Sequence, residues 1–187
     1  NNDTAYESAF CLHNKGINVE AIIDIRESSN SKIVKAVEEA GIKIHWSHTI
    51  VDTSGYKRLN GISAMKLSND GLSVTGSKIN ISCDCLGVAG GWTPAVHLFT
   101  QSGGKLKFDE NDKIFLPNKY PSEQLSVGSC NGDFKLKEII NNLSINLKQF
   151  LKVNETDFDN ILIEGEEENS KRNIWLLPSD KPIGKTK

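Results

Sequence analysis

Along the opening stretch, Ala5, Ala9 and Leu12 repeat at helical spacing on one face. Asp3 stands where an N-cap belongs and Gly16 where a helix reverses, so residues 4–15 read as a helix. Residues 19–25 follow as a short β-rich apolar run closed by an acid, the pattern of a buried parallel strand. After a polar turn at Ser28, Ser29 and Asn30, the spacing of Ile33, Val37 and Ala40 predicts a second helix ended by Gly41, and residues 42–46 predict a second strand. Helix, strand, helix, strand is the order of crossover units on a parallel sheet, because parallel neighbours are joined only through crossover connections.

Residues 49–88 change rhythm. Strand candidates at 49–51, 62–67, 72–74 and 79–88 are separated by Ser54-Gly55, Asn69-Asp70-Gly71 and Gly76-Ser77, which predicts a β-meander inserted between helical units. The run Cys83-Asp84-Cys85-Leu86-Gly87-Val88 turns apolar on both faces and predicts a return to the buried sheet, while Thr93 with Pro94 predicts a helix start. Polar loops then lead to a strand at 125–127, a glycine-bearing turn at 128–132, and an amphipathic helix from Asp133 to about Leu151. Its inward face is Leu136, Ile139, Ile140, Leu143, Leu147, Phe150 and Leu151.

The expected fold class is α/β: a partial, Rossmann-type two-dinucleotide-binding domain with a parallel sheet, helices and an inserted β-meander. It spans residues 1–153, the inner Rossmann part being about 1–88. Residues 154–187, with the acidic run from Glu164 to Glu168 and an isolated Trp175-Leu176-Leu177, read as a linker towards a further domain. Both ends look cut, since the first helix lacks the strand that should precede it. A sheet without its central strand exposes an unpaired edge, so the isolated piece is expected to fold poorly.

Composition narrows the function classes. With 37% apolar and 25% charged residues among 187, the chain is globular in kind. No stretch approaches the roughly 20 apolar residues that cross a bilayer, and no secretory leader opens it. A net charge of −2 with scattered lysines offers no basic stripe. The chain is therefore read as cytoplasmic, with neither nucleic acid nor membrane as partner. Cys11, Cys83, Cys85 and Cys130 read as reduced thiols. Cys83 and Cys85 would stand about 7 Å apart on one strand face, too far for a relaxed disulfide. No second paired ligand motif completes a metal site around them, nor around His45 and His48, and His97 reads as a core or interface histidine. With no Gly-x-Ser-x-Gly elbow, Walker loop or HExxH, no catalytic residue is assigned.

The candidate chemistry is nucleotide binding. In a dinucleotide fold a helix start holds the pyrophosphate and an acid some 20 residues later takes the ribose hydroxyls; the first helix and Asp24 have that spacing. The glycine-rich phosphate turn, however, should stand where Asn1-Asn2-Asp3 stands, so a degenerate unit kept as scaffold is the competing reading. Gly90 and Gly91, and Gly128 and Gly132, stand at two further strand-to-helix junctions, where missing Cβ atoms let backbone approach a ligand.

The segments Asn1-Asn2-Asp3-Thr4-Ala5-Tyr6, Ala89-Gly90-Gly91-Trp92-Thr93-Pro94-Ala95-Val96-His97-Leu98 and Gln101-Ser102-Gly103-Gly104-Lys105-Leu106 resemble the α subunits of heterotetrameric sarcosine oxidases, and the likeness extends to Trp175-Leu176-Leu177-Pro178. The resemblance implies one subunit of an enzyme with beta, gamma and delta partners that oxidatively demethylates N-methylglycine to glycine. Oxygen is the final acceptor, hydrogen peroxide forms, and the carbon passes to tetrahydrofolate. It implies FAD and substrate on the β subunit, FMN between α and β, and folate in a C-terminal domain beyond this chain, with this domain binding NAD and shaping the subunit interface. Related α subunits of proline dehydrogenases and opine oxidases look similar, and a non-catalytic scaffold that docks a catalytic partner is the third reading. Gly128 is followed by Ser129 rather than the acid that holds a flavin's ribityl chain in such folds, which argues against FAD at that junction.

Overall fold

The computed structural model describes residues 1–121, 123–154, 161, 172–174 and 176–180. The chain divides into two units, one built on residues 1–91 with the described residues after 168, the other on residues 92–167.

The first unit begins with α1 (Thr4–Asn14), β1 (Ile22–Asp24), α2 (Lys32–Glu39) and β2 (Ile44–Trp46). The two strands pair in parallel, Ile22 opposite Ile44 and Asp24 opposite Trp46, as the alternation of elements requires. Gly16 ends α1 with φ +79, and the Ile17 amide reaches back to the Leu12 carbonyl at 3.1 Å, so the helix closes where its apolar spacing stops. Tyr6 and Ala9 of α1, Val34 and Val37 of α2, and Ile22 and Ile42 form one core, with Trp46 packed against it. Each fully buried side chain of the Val kind contributes on the order of 1.5–3 kcal/mol relative to exposure.

A three-stranded antiparallel meander follows, β3 (His48–Ser54), β4 (Gly61–Leu67) and β5 (Val74–Ile81), with β4 in the centre and Ile62, Ala64, Met65 and Leu67 buried on it. The separate strands expected at 72–74 and 79–88 are a single strand. Gly76 adopts φ +79 inside it, and the register slips there, Ala64 facing Ile79 but Lys66 facing Thr75. A bulge thus absorbs what reads in sequence as a turn. Residues 83–88 do not re-enter a sheet, and Val88 is 82% exposed.

The described part of the chain's end lies on this unit. The Arg172 guanidinium donates to the carbonyls of Ile25 at 2.6 Å and Asn69 at 2.8 Å, and the Ile174 side chain fills the space beside Gly71. The acidic run 164–168 and Trp175 lie outside the described residues.

The second unit holds α3 (His97–Gln101), a hairpin of β6 (Lys105–Asp109) and β7 (Ile114–Lys119), a 3-10 turn (Gly128–Asn131) and α4 (Leu136–Leu151). Four expectations change here. The stretch read as polar loops contains the hairpin, whose lysines alternate with apolar residues and mask the strand pattern. Residues 125–127 pair with no strand among the described residues, and α3 starts at His97 rather than behind Thr93. On α4, Leu136, Phe150 and Leu151 are exposed and Ser144 is the buried residue, so the expected inward face is only partly covered.

Candidate functional site

The candidate site lies where α1 starts and β1 ends. The side chains meeting there, Asn2, Asp3, Tyr6, Asp24 and Arg26, are all buried. Asp24 closes β1, and two residues later Arg26 turns back over it: its amide donates to Asp24 Oδ1 at 2.8 Å, and its guanidinium donates to Oδ2 through Nη2 at 2.8 Å and Nε at 3.0 Å. The same guanidinium donates through Nη1 to Asp3 Oδ1 at 2.7 Å. Tyr6, one turn into α1, donates its phenol to Asp24 Oδ2 at 2.7 Å, while its ring stacks on Trp46 at a centroid distance of 6.0 Å and carries the Arg26 guanidinium at 5.5 Å.

Electrostatics follow from this geometry. Burial drives the Asp24 carboxyl upward, but hydrogen bonds from Arg26 and Tyr6 and the charge of Arg26 outweigh it and hold the group below the ordinary carboxylate value. Burial, followed by the bond to Asp24, raises the Tyr6 phenol far above its usual range, so it remains a donor. Burial works against the Arg26 charge, yet the bonds to Asp24 and Asp3 more than compensate and fix it as a cation. The unit therefore encloses two acids and one base.

The helix start differs from the expected cap. Asp3 occupies the N-cap position, but its side chain makes no capping bond and reaches Arg26 instead. Asn2 substitutes for it, its Oδ1 accepting from the Thr4 amide at 3.1 Å, while its Nδ2 donates to the Gly90 carbonyl at 2.7 Å. The sequence reading missed Asn2, Tyr6 and Arg26. The signal was faint: an Asp-x-Arg at a strand end and a tyrosine one helical turn behind a polar cap.

These residues do not fit a dinucleotide. A ribose diol needs a free carboxylate edge, and both Asp24 oxygens are bonded within the chain. A phosphate needs uncovered amides and positive potential, whereas the Thr4 amide is covered and a carboxylate and a carbonyl stand at the helix start.

The other expected glycines are scattered. Gly90 has open space where a Cβ would stand, but its carbonyl is held by Asn2. Gly90 and Gly91 do not stand at a direct strand-to-helix junction, because residues 82–96, which separate β5 from α3, form neither. In the second unit, Gly128 has φ +78 and meets only the Ile139 side chain at ordinary distance. A Cβ on Gly132, at φ +88, would stand 2.5 Å from Leu116 Cδ2, so that glycine makes room for the protein's own leucine. Nothing in these positions forms a strand-glycine-helix cradle.

Outside this cluster, His45 and His48 stack edge to face at 5.7 Å. His45 Nε2 is buried without a hydrogen-bond partner among the described residues, and burial, Lys43 and His48 lower its pKa. His97 is exposed, so of its two readings, core or interface histidine, the core one does not hold. The four cysteines are free, and burial raises the Cys83 thiol. Among the described residues no group of three or more metal-ligating side chains occurs, and no helix is long and apolar enough to cross a membrane.

No family model matches the chain. Over 135 residues it is 32% identical to sarcosine oxidase subunit alpha of Corynebacterium sp. (strain P-1), a match covering 71% of this chain and 14% of the relative. Over 131 residues it is 27% identical to the protein of the same name from Corynebacterium sp. (strain U-96), covering 70% and 13%. Among solved structures, L-proline dehydrogenase from P. horikoshii superposes with a TM-score of 0.44 at 16% identity, over 78% of this chain and 29% of that one. T. acidophilum thioredoxin reductase superposes with a TM-score of 0.39 at 15% identity, over 59% and 39%. The chain thus spans a small fraction of the length of the curated relatives it matches.

Proposed function

Because this chain is a homologue of the sarcosine oxidase alpha subunits over 71% of its length, we propose that it is a segment of the α subunit of a multi-subunit flavoenzyme that oxidises a secondary N-methyl amine of the sarcosine class. The carrying observation is the 32% identity itself. In the complete enzyme, FAD and FMN would carry the electrons, tetrahydrofolate would take the carbon, and beta, gamma and delta subunits would complete the assembly, with NAD held by the parent α subunit.

Within the subunit, this segment's part is architectural. The core on α1 and α2 and the buried ionic cluster hold a parallel strand pair in place, and the meander extends the unit beyond it. Work at the reacting amine belongs to other parts of the enzyme.

The test is to produce the complete reading frame with its neighbouring subunits and follow oxidation of sarcosine, proline and an opine, with oxygen and with a dye as acceptor. Sarcosine turnover accompanied by hydrogen peroxide is expected. A flavin-loaded complex that turns over proline or an opine but not sarcosine would shift the assignment to the related dehydrogenases. A flavin-loaded complex inert to all three would defeat the proposal.

A further inference from the structure

We infer that Arg26 is a built-in occupant of the α1–β1 cradle, so that a dinucleotide bound by the parent subunit takes neither its ribose contact from Asp24 nor its phosphate contact from the start of α1. The inference rests on the homology reading only in supposing that the parent subunit binds a dinucleotide at all.

The lone pairs decide the ribose end. An ionised carboxylate has about four acceptor positions. Asp24 Oδ1 takes the Arg26 amide and, at 3.2 Å, Arg26 Nε; Oδ2 takes the Tyr6 phenol, Nη2 of Arg26 and, at 3.0 Å, Nε. A hydroxyl pair entering here would displace a charged donor that is itself buried, and 4% exposure leaves the guanidinium no water to turn to. The ribose contact would therefore have to replace a bond between two ionised groups with one from a neutral hydroxyl.

The phosphate end is closed by sign. Asp3 is buried at the helix start, and its Oδ1 is 2.7 Å from Arg26 Nη1. Asn2 draws the Gly90 carbonyl to the same place and covers the Thr4 amide. A pyrophosphate would meet acceptors where it needs donors. Among the described side chains of the cluster, the one cation is already shared by Asp3 and Asp24, so these side chains are net negative before any ligand arrives.

This arrangement inverts the usual order of parts. In a ligand-holding unit the acid at the strand end faces outward and its counterpart arrives with the cofactor. Here the counterpart is two residues downstream on the same chain, and a tyrosine from α1 seals the other side. The internal ion pair thereby ties the start of α1 to the end of β1.

The experiment uses the complete subunit with NAD as probe. Hydrogen exchange of the peptides covering residues 1–26 is compared with and without saturating NAD, and NAD affinity is measured for the wild type, Tyr6→Phe and Asp24→Asn. The expected result is unchanged exchange in those peptides and affinities within about threefold of one another, with faster exchange of β1 in both variants irrespective of NAD. Protection of the Thr4–Tyr6 amides by NAD, or an affinity loss of tenfold or more in Tyr6→Phe with β1 exchange as in wild type, would overturn the inference. Because the exchange comparison needs no variant, failure of Asp24→Asn to fold leaves the test intact. A subunit that oxidises sarcosine yet binds no NAD would support the closed cradle while removing NAD from the proposed function.

Discussion

Arg26 Nη1 and Asp3 Oδ1 are 2.7 Å apart although 23 positions separate the residues, and the bond joins the end of β1 to the start of α1. The helix thereby loses its N-cap side chain and gains a covalently distant anchor. Removing the cation would leave two buried carboxylates without their main partner. Arg26→Met is expected to destabilise the first unit by about 3–5 kcal/mol, the usual cost of breaking a buried pair from one side. Hydrogen exchange of the Ile22–Asp24 amides in the complete protein measures it; a loss below about 1 kcal/mol would show the cluster to be water-accessible.

Ser31 presents the opposite case. It precedes α2 at the N-cap position, where a serine ordinarily contributes about 1 kcal/mol through its side chain. Here it makes no capping bond, and Oγ is buried without a partner among the described residues. Ser31→Ala is therefore expected to be neutral or stabilising, since it removes an unsatisfied hydroxyl. Exchange of the α2 amides distinguishes this from ordinary capping, for which the same change would speed exchange.

The first unit should lose stability in two steps as pH falls. His45 has a lowered pKa, so its neutral form is favoured by folding: stability present at pH 7 declines as the pH drops below the ordinary value of 6.5 and through the folded one. Asp24 is also lowered, and its contribution is present above the ordinary value of 3.8 and lost as pH falls through the folded value. Exchange-derived stability measured across this range in His45→Gln should lack the upper step and keep the lower one. Retention of the upper step would assign it to another group.

Gly132 tests whether a glycine expected at a ligand serves packing instead. Alanine there must hold φ near +88 and place a Cβ against Leu116. The backbone alone costs about 1–2 kcal/mol. Gly132→Ala should destabilise β7 and the adjoining turn, Leu116→Val should recover part of the loss, and NAD affinity of the complete subunit should stay unchanged. A selective affinity loss with normal β7 exchange would restore the ligand reading.

The order α1, β1, α2, β2 and the meander's central strand were legible in the sequence because they depend on local spacing: Ala5 and Ala9 on one helix face, Ile33 and Val37 on another, glycines at 16 and 41 where the backbone reverses. The hairpin at 105–119 was not, since Lys105 and Lys107 alternate with Leu106 and Phe108 and dilute the apolar signal. The spacing of α1 and Asp24 likewise suggested a cofactor acid. Which partner an acid takes depends on the side chains packed around it, and here those are Arg26, two residues on, Tyr6 of α1 and, through Arg26, Asp3 at the start of α1. Periodicity reports which face of an element is buried. Only the packed structure decides whether a buried charge is met by a ligand or by the protein, because that depends on distances between residues that are remote in the chain.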